Sequence, residues 1–131
     1  MSFAALRVVV CFIACHNGSA DHFVTYAETL IHRGYEVHIH TSESVAKKFQ
    51  ERGIAVKSTF SLDQLTNEGE DSLAQEIAKA CAVASVAITD VGHKFGAIIQ
   101  KALRLLTDVP RAAYYDNPEV YVPGGIFRKG S

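Results

Sequence analysis

From Arg7 to Cys15 the chain runs nearly unbroken through apolar residues rich in valine, the pattern of a strand covered on both faces by helices. The run gives way at His16-Asn17-Gly18-Ser19, where glycine allows a tight turn and Ser19 is placed to cap a helix. Phe23, Ala27, Leu30 and Ile31 then recur at helical period and stop at Arg33-Gly34, a cation in the last turn with glycine just beyond. Tyr35 to Thr41 predicts a second strand. Ser42 opens a helix with Val45, Ala46 and Phe49 inward and Gly53 at its end, and Ile54 to Lys57 reads as a short third strand. Ser58 to Glu70 holds no long apolar run, and its turn-like, acidic Asn67-Glu68-Gly69-Glu70 predicts a surface loop. A third helical stripe carries Leu73, Ile77, Cys81 and Ala84, followed by a strand from Val86 to Thr89 that ends on Asp90. Phe95, Ile98, Ile99, Ala102, Leu105 and Leu106 mark a fourth helix, and Pro110 to Tyr114 a fifth strand.

Strands alternating with helices in this way predict an α/β fold. The expected architecture is a single doubly wound, three-layer α/β/α domain with a mostly parallel sheet of about five strands, Rossmann-like, over residues 1–114. Tyr115 to Ser131 contains Pro118, Pro123, Gly124, Gly125 and Gly130 and no periodic apolar face. It reads as an irregular tail that docks on a partner or leads into a linker and further sequence.

Composition narrows the function classes. With 131 residues, 48% hydrophobic and 21% charged, the chain suffices for one core but hardly for two. Thirteen basic against fourteen acidic side chains, a formal net charge of −1, exclude a nucleic-acid binder working through a basic surface and polybasic attachment to membranes. No window reaches the roughly 18–20 continuous apolar residues of a membrane span, and the start lacks the features of a signal peptide. Three cysteines, Cys11, Cys15 and Cys81, an odd number inside apolar stretches, predict buried reduced thiols and a cytoplasmic protein.

In an open parallel sheet, ligands bind beyond the carboxyl ends of the strands where the strand order reverses. With the common order 3-2-1-4-5, that crevice gathers His16, Asn17, Gly18, Ser19, Asp21 and His22 opposite Asp90, Gly92 and His93. A histidine facing a carboxylate is a candidate general base, because the negative charge favours the imidazolium formed when a proton is taken. His22 with Asp90 is the leading pair and His16 the substitute. The loop from His16 to Ser19 is also a candidate anion cradle at a helix N-terminus. Tyr115, Asp116 and Asn117, just after the fifth strand, are candidates to line the same crevice.

Several chemistries are disfavoured. Gly18 alone stands where a dinucleotide fingerprint needs three glycines, and neither a phosphate-binding P-loop nor a G-x-S-x-G elbow is present. His38 and His40 share a face of the second strand and could hold a metal, but no further ligands stand at a recognisable spacing, so neither metal nor cofactor is expected. Cys11 and Cys15 share a face of the first strand at about 13 Å, too far for a bridge, and are read as packing residues.

The run RVVVCFIACHNGSADHFVTYAETLIHRGYEVHIHTS resembles the opening of GT-B glycosyltransferases of the UDP-glycosyltransferase type: a hydrophobic strand, a loop with Gly and His, a helix ending in R-G, then G-x-E-V and T. VAKKFQERGIAV, ASVAITDVGHKFGAIIQKAL and VPRAAYYDNP are similar to later elements of the same acceptor-side domain. Carried over, the resemblance implies that the catalytic histidine is His22, or His16 under a different alignment of the loop, and that Asp90 orients it. Asp21 stands where that family has glycine before its histidine, and Thr25 where a proline often follows. The implied reaction is inverting, with the histidine deprotonating an acceptor hydroxyl that attacks the anomeric carbon of a nucleotide sugar.

Such transferases bind the donor through a second Rossmann-like domain, so the resemblance implies an acceptor-binding half working with a donor domain or subunit. Its partners would be that domain and a small-molecule acceptor. The alternative is a stand-alone flavodoxin-like module whose crevice takes a phosphate-containing ligand, with the tail docking on a protein partner or a second copy of the chain.

Overall fold

The computed structural model describes residues 8–62, 67–91 and 94–114. Its elements follow in the order β1 (Val9–Ala14), α1 (Asn17–His32), β2 (Glu36–Ser42), a 3-10 turn (Glu43–Val45), α2 (Ala46–Gln50), β3 (Ser58–Phe60), α3 (Asn67–Ala80), a second 3-10 turn (Cys81–Val83), β4 (Val86–Asp90), α4 (Lys94–Leu106) and β5 (Arg111–Tyr114). The strands form one five-stranded sheet in the order β3-β2-β1-β4-β5. Every pairing is parallel, with Cys11 opposite His38 on one side of β1 and Ala87 on the other. This is the Rossmann-like α/β class and the strand order expected from the sequence.

Alternation along β1 explains why its run is apolar throughout. Cys11, Ile13 and Cys15 face a core shared with Ala74, Ile77 and Ala78 of α3 and Phe95, Ile99 and Leu103 of α4. Val10, Phe12 and Ala14 face the opposite core, with Phe23, Val24 and Ala27 of α1 and Phe49 of α2. A central strand sandwiched between two helix layers must be apolar at every position. Two surface pairs, Lys48 of α2 with Asp21 and Arg52 of the turn after α2 with Glu28, each at 2.6 Å, tie this segment to α1. Gly34 and Gly53, at φ +92° and +75°, end α1 and α2 in the left-handed conformation that glycine adopts without strain. No helix among the described residues is long and apolar enough to cross a membrane.

Four expectations shift. The third strand lies at Ser58–Phe60, not Ile54–Lys57: Ile54 is spent beside Phe49 in the core, and the backbone joins the ladder only where Ser58 meets His40. The acidic stretch from Asn67 to Glu70 is the first turn of α3, where Glu68 and Glu70 complement the positive end of the helix dipole. Ser19 does not cap α1. The helix begins at Asn17 with His16 as N-cap, and Ser19 turns inward from the first turn. Leu105 and Leu106, 61% and 46% exposed, border a groove against α3 in place of the sheet core, which α4 fills with Phe95, Ile99, Ala102 and Leu103. The tail expected over 115–131 lies outside the described residues.

Candidate functional site

The strand order reverses between β1 and β4, so the chain leaves these two neighbours in opposite directions and opens a crevice at their carboxyl ends. Ile13 pairs with Thr89, which brings Cys15 and His16 alongside Asp90. Asp90 is fully buried, and its Oδ2 accepts hydrogen bonds from the Cys15 N–H at 2.7 Å, the His16 N–H at 3.4 Å and the Ser19 hydroxyl. A buried carboxylate is tolerable only with such donors. Its Oδ1 is also buried and has no hydrogen-bond partner among the described residues. Gly96 of α4 lies against this strand end so closely that a Cβ there would stand 2.9 Å from the Asp90 carbonyl carbon.

His16 is extended at φ −147°, ψ 171°, and its side chain does not cap the helix. The ring turns toward Asp90, with Nε2 at 3.9 Å from Oδ2 and the side chain 29% exposed. One imidazole edge thus faces a buried carboxylate while part of the ring meets solvent, the disposition of a histidine that can exchange a proton with a ligand. Asn17 is exposed and Gly18 half-buried in the first turn of α1.

The expected His22–Asp90 pair is not formed. His22 is exposed on α1 and lies against aromatic rings, with Tyr114 at 5.5 Å and Tyr26 at 6.4 Å between centroids. Six residues on from the N-cap, the helix has carried it away from the strand end and onto the flank facing β5. Tyr114 also packs edge-on against Phe23 at 5.4 Å, so these rings form a half-exposed wall on the α1 side of the crevice. Gly92, His93, Tyr115, Asp116 and Asn117 lie outside the described residues.

The expected anion cradle meets an electrostatic obstacle. Asp90 already presents a carboxylate to the amides that lead into α1, so a phosphate docking there would be repelled at close range. The same charge acts on Cys15: burial first, then the neighbouring Asp90, push its thiol far above the ordinary range, and the thiol stays protonated.

A second group of chemically capable side chains escaped the sequence reading. Cys11 from β1, His40 from β2 and Cys81 from the turn after α3 are all buried, with their ligand atoms within 4.8 Å of one another. The hydrogen bond between the two cysteines holds the Cys11 thiol below its usual range, His40 adding to the effect, and pushes that of Cys81 up. No spacing rule links these positions; only the crossover that lays α3 over β1 and β2 brings them together. His38, which the sequence paired with His40, is bound through Nε2 to Glu36 at 2.6 Å.

No protein-family model matches the sequence, and no curated protein does. Among solved structures the chain is similar to the glycosyltransferase SnogD from Streptomyces nogalater, at 16% identity and a TM-score of 0.49. The match covers 90% of this chain and 36% of that one.

Proposed function

We propose that this chain is the acceptor-binding half of a glycosyltransferase-like protein, with His16 as general base and Asp90 as the residue that orients it. The observation that carries the reading is the half-exposed His16 imidazole facing the buried Asp90 carboxylate at 3.9 Å, at the switch point of the sheet. The resemblance of the His16–His22 loop to the opening of sugar transferases supports it.

With Nε2 directed at Asp90, Nδ1 is the ring nitrogen that meets the acceptor. The acceptor hydroxyl gives its proton to Nδ1 as its oxygen attacks the anomeric carbon of a nucleotide sugar. The bond from that carbon to the diphosphate breaks, the nucleoside diphosphate leaves, and the configuration inverts. Asp90 stabilises the imidazolium for the life of the transition state, and Oδ1 has acceptor capacity for the Nε2 proton once the ring closes the gap. Apo distances at such pairs are often long and tighten with substrate bound. Tyr26 and Tyr114 supply an aromatic wall suited to the apolar face of an acceptor. The nucleotide sugar is bound by a second domain or a partner chain, and the crevice closes on it.

The experiment is nucleotide release from a panel of nucleotide sugars by the complete gene product, with small-molecule acceptors supplied. His16→Ala lowers kcat by about 10²–10⁴-fold, the usual contribution of a positioned general base. Absence of any turnover by the unsubstituted protein across the panel would remove the basis for the reading.

A further inference from the structure

We propose that Cys11, His40 and Cys81 form a binding site for a single thiophilic dication such as zinc, enclosed beneath α3 on the side of the sheet facing α3 and α4. The site is independent of the His16–Asp90 crevice: Cys11 lies mid-strand in β1, four residues before Cys15, and Cys15, the thiol beside Asp90, is not one of the ligands.

Three observations point to a metal in place of simple packing. The ligand atoms lie within 4.8 Å of one another. Tetrahedral zinc, with bonds of about 2.3 Å to sulfur and 2.0–2.1 Å to nitrogen, holds its donors roughly 3.5–3.8 Å apart, so a contraction on the order of 1 Å closes the site. His40 is only 2% exposed, yet its Nε2 is buried with no hydrogen-bond partner among the described residues, which is uncommon for a ring nitrogen in a protein interior. Its other nitrogen, Nδ1, lies 2.6 Å from the Ser58 hydroxyl. With Nδ1–H donating to Ser58, Nε2 keeps its lone pair for a metal, the outer-shell arrangement that fixes metal-binding histidines.

Charge agrees with burial. Two thiolates and a neutral imidazole exactly balance a dication, so the complex carries no net charge into the core. On binding, the Cys11 and Cys81 thiols each release a proton to solvent, two sulfur–metal bonds and one nitrogen–metal bond replace metal–water bonds of the hydrated ion, one retained water completes the tetrahedron, and nothing is oxidised or reduced. Two sulfurs and one imidazole suit zinc over the hard, oxygen-preferring magnesium and calcium. A hollow of about 230 Å³ is bordered by Ser58, the partner of His40, and by Ala80, the residue before Cys81.

The test is titration of the reduced, metal-free 131-residue chain with cobalt(II), then zinc. One equivalent of cobalt is expected to produce a thiolate-to-metal charge-transfer band and the visible bands of tetrahedral cobalt, with zinc displacing it and bleaching both. Cys11→Ser, Cys81→Ser and His40→Gln abolish these bands, while Cys15→Ser keeps them. Ser58→Ala, at an exposed position of the edge strand β3, weakens cobalt binding by about 10–100-fold. The proposal is overturned if the folded, reduced chain gives no tetrahedral cobalt spectrum, if the spectrum depends on Cys15, or if Ser58→Ala binds as tightly as the unsubstituted chain. Oxidation to a Cys11–Cys81 disulfide in air, with no cobalt uptake after reduction, overturns it equally.

Discussion

Gly96→Ala perturbs the contact on which the site is built. In an ordinary helix this substitution stabilises by about 1 kcal/mol through helix propensity, with part of the gain arising in the unfolded chain. Here the new methyl would stand 2.9 Å from the carbonyl carbon of Asp90 and 3.2 Å from the Cα of Val91, with the Asp90 carbonyl oxygen nearer still. Carbon atoms pack at about 3.5–4.0 Å, so the carbons alone require α4 to withdraw from the end of β4 by roughly 0.6–1 Å, and the tighter contact with the carbonyl oxygen requires more. The obstacle is backbone of a central strand and cannot swing aside as a flexible side chain would. Withdrawal loosens Phe95 and Ile99, both fully buried, from the core. Overpacking of this kind costs about 1–3 kcal/mol, and the contact with the carbonyl oxygen puts this case at or beyond the upper end of that range, well above the propensity gain. After the propensity gain of about 1 kcal/mol is subtracted, the expected outcome is a net loss of about 2 kcal/mol, read as a lower urea midpoint at unchanged slope. A Gly96→Ala chain as stable as the original, or more so, would refute the reasoning, since propensity would then have won.

Asp90→Ala strands the buried Cys15 amide, removes the longer bond of the part-buried His16 amide and leaves the Ser19 hydroxyl only the His16 carbonyl at 3.2 Å, so the loss is at least about 1–3 kcal/mol; Asp90→Asn, which keeps one acceptor oxygen, loses less in the same urea titration. Cys15, 3% exposed, resists iodoacetamide in the folded chain even above the ordinary thiol range of about 8.5, and labels only on unfolding. Because its folded pKa is raised, the unfolded chain gives up that proton first and stability falls as pH rises past about 8.5; a Cys15→Ser chain lacks this component, worth about 1.4 kcal/mol per pH unit. Phe49→Ala empties a fully buried position between α2 and the sheet and lowers stability by about 3–5 kcal/mol, measured by thermal and urea unfolding.

Much of the fold is legible in the sequence because its strongest signals are local. The valine-rich run of β1, the helical stripe of α1 and the glycine after it each carry one meaning. Segments whose character depends on a distant partner are less legible. Ile54 looks like strand but belongs to the core beside Phe49, and Ser58 looks like loop but pairs with His40. Gly69 reads as a turn residue, yet it lies in a helix whose position is set by packing on the sheet. The same division holds at the site. The crevice and Asp90 follow from strand order, whereas the choice between His16 and His22 turns on where α1 begins, a matter of one turn that periodicity does not resolve. The Cys11, His40 and Cys81 group comes from three elements and has no signature along the chain.

The central claim is that His16, held by Asp90, is the base in sugar transfer. It is tested most directly by comparing kcat for His16→Ala and His22→Ala in nucleotide-sugar turnover by the complete gene product. The account predicts a fall of about 10²–10⁴-fold for His16→Ala and a change within a few-fold for His22→Ala. Turnover that survives His16→Ala, or that is lost with His22→Ala while His16→Ala is spared, would contradict it.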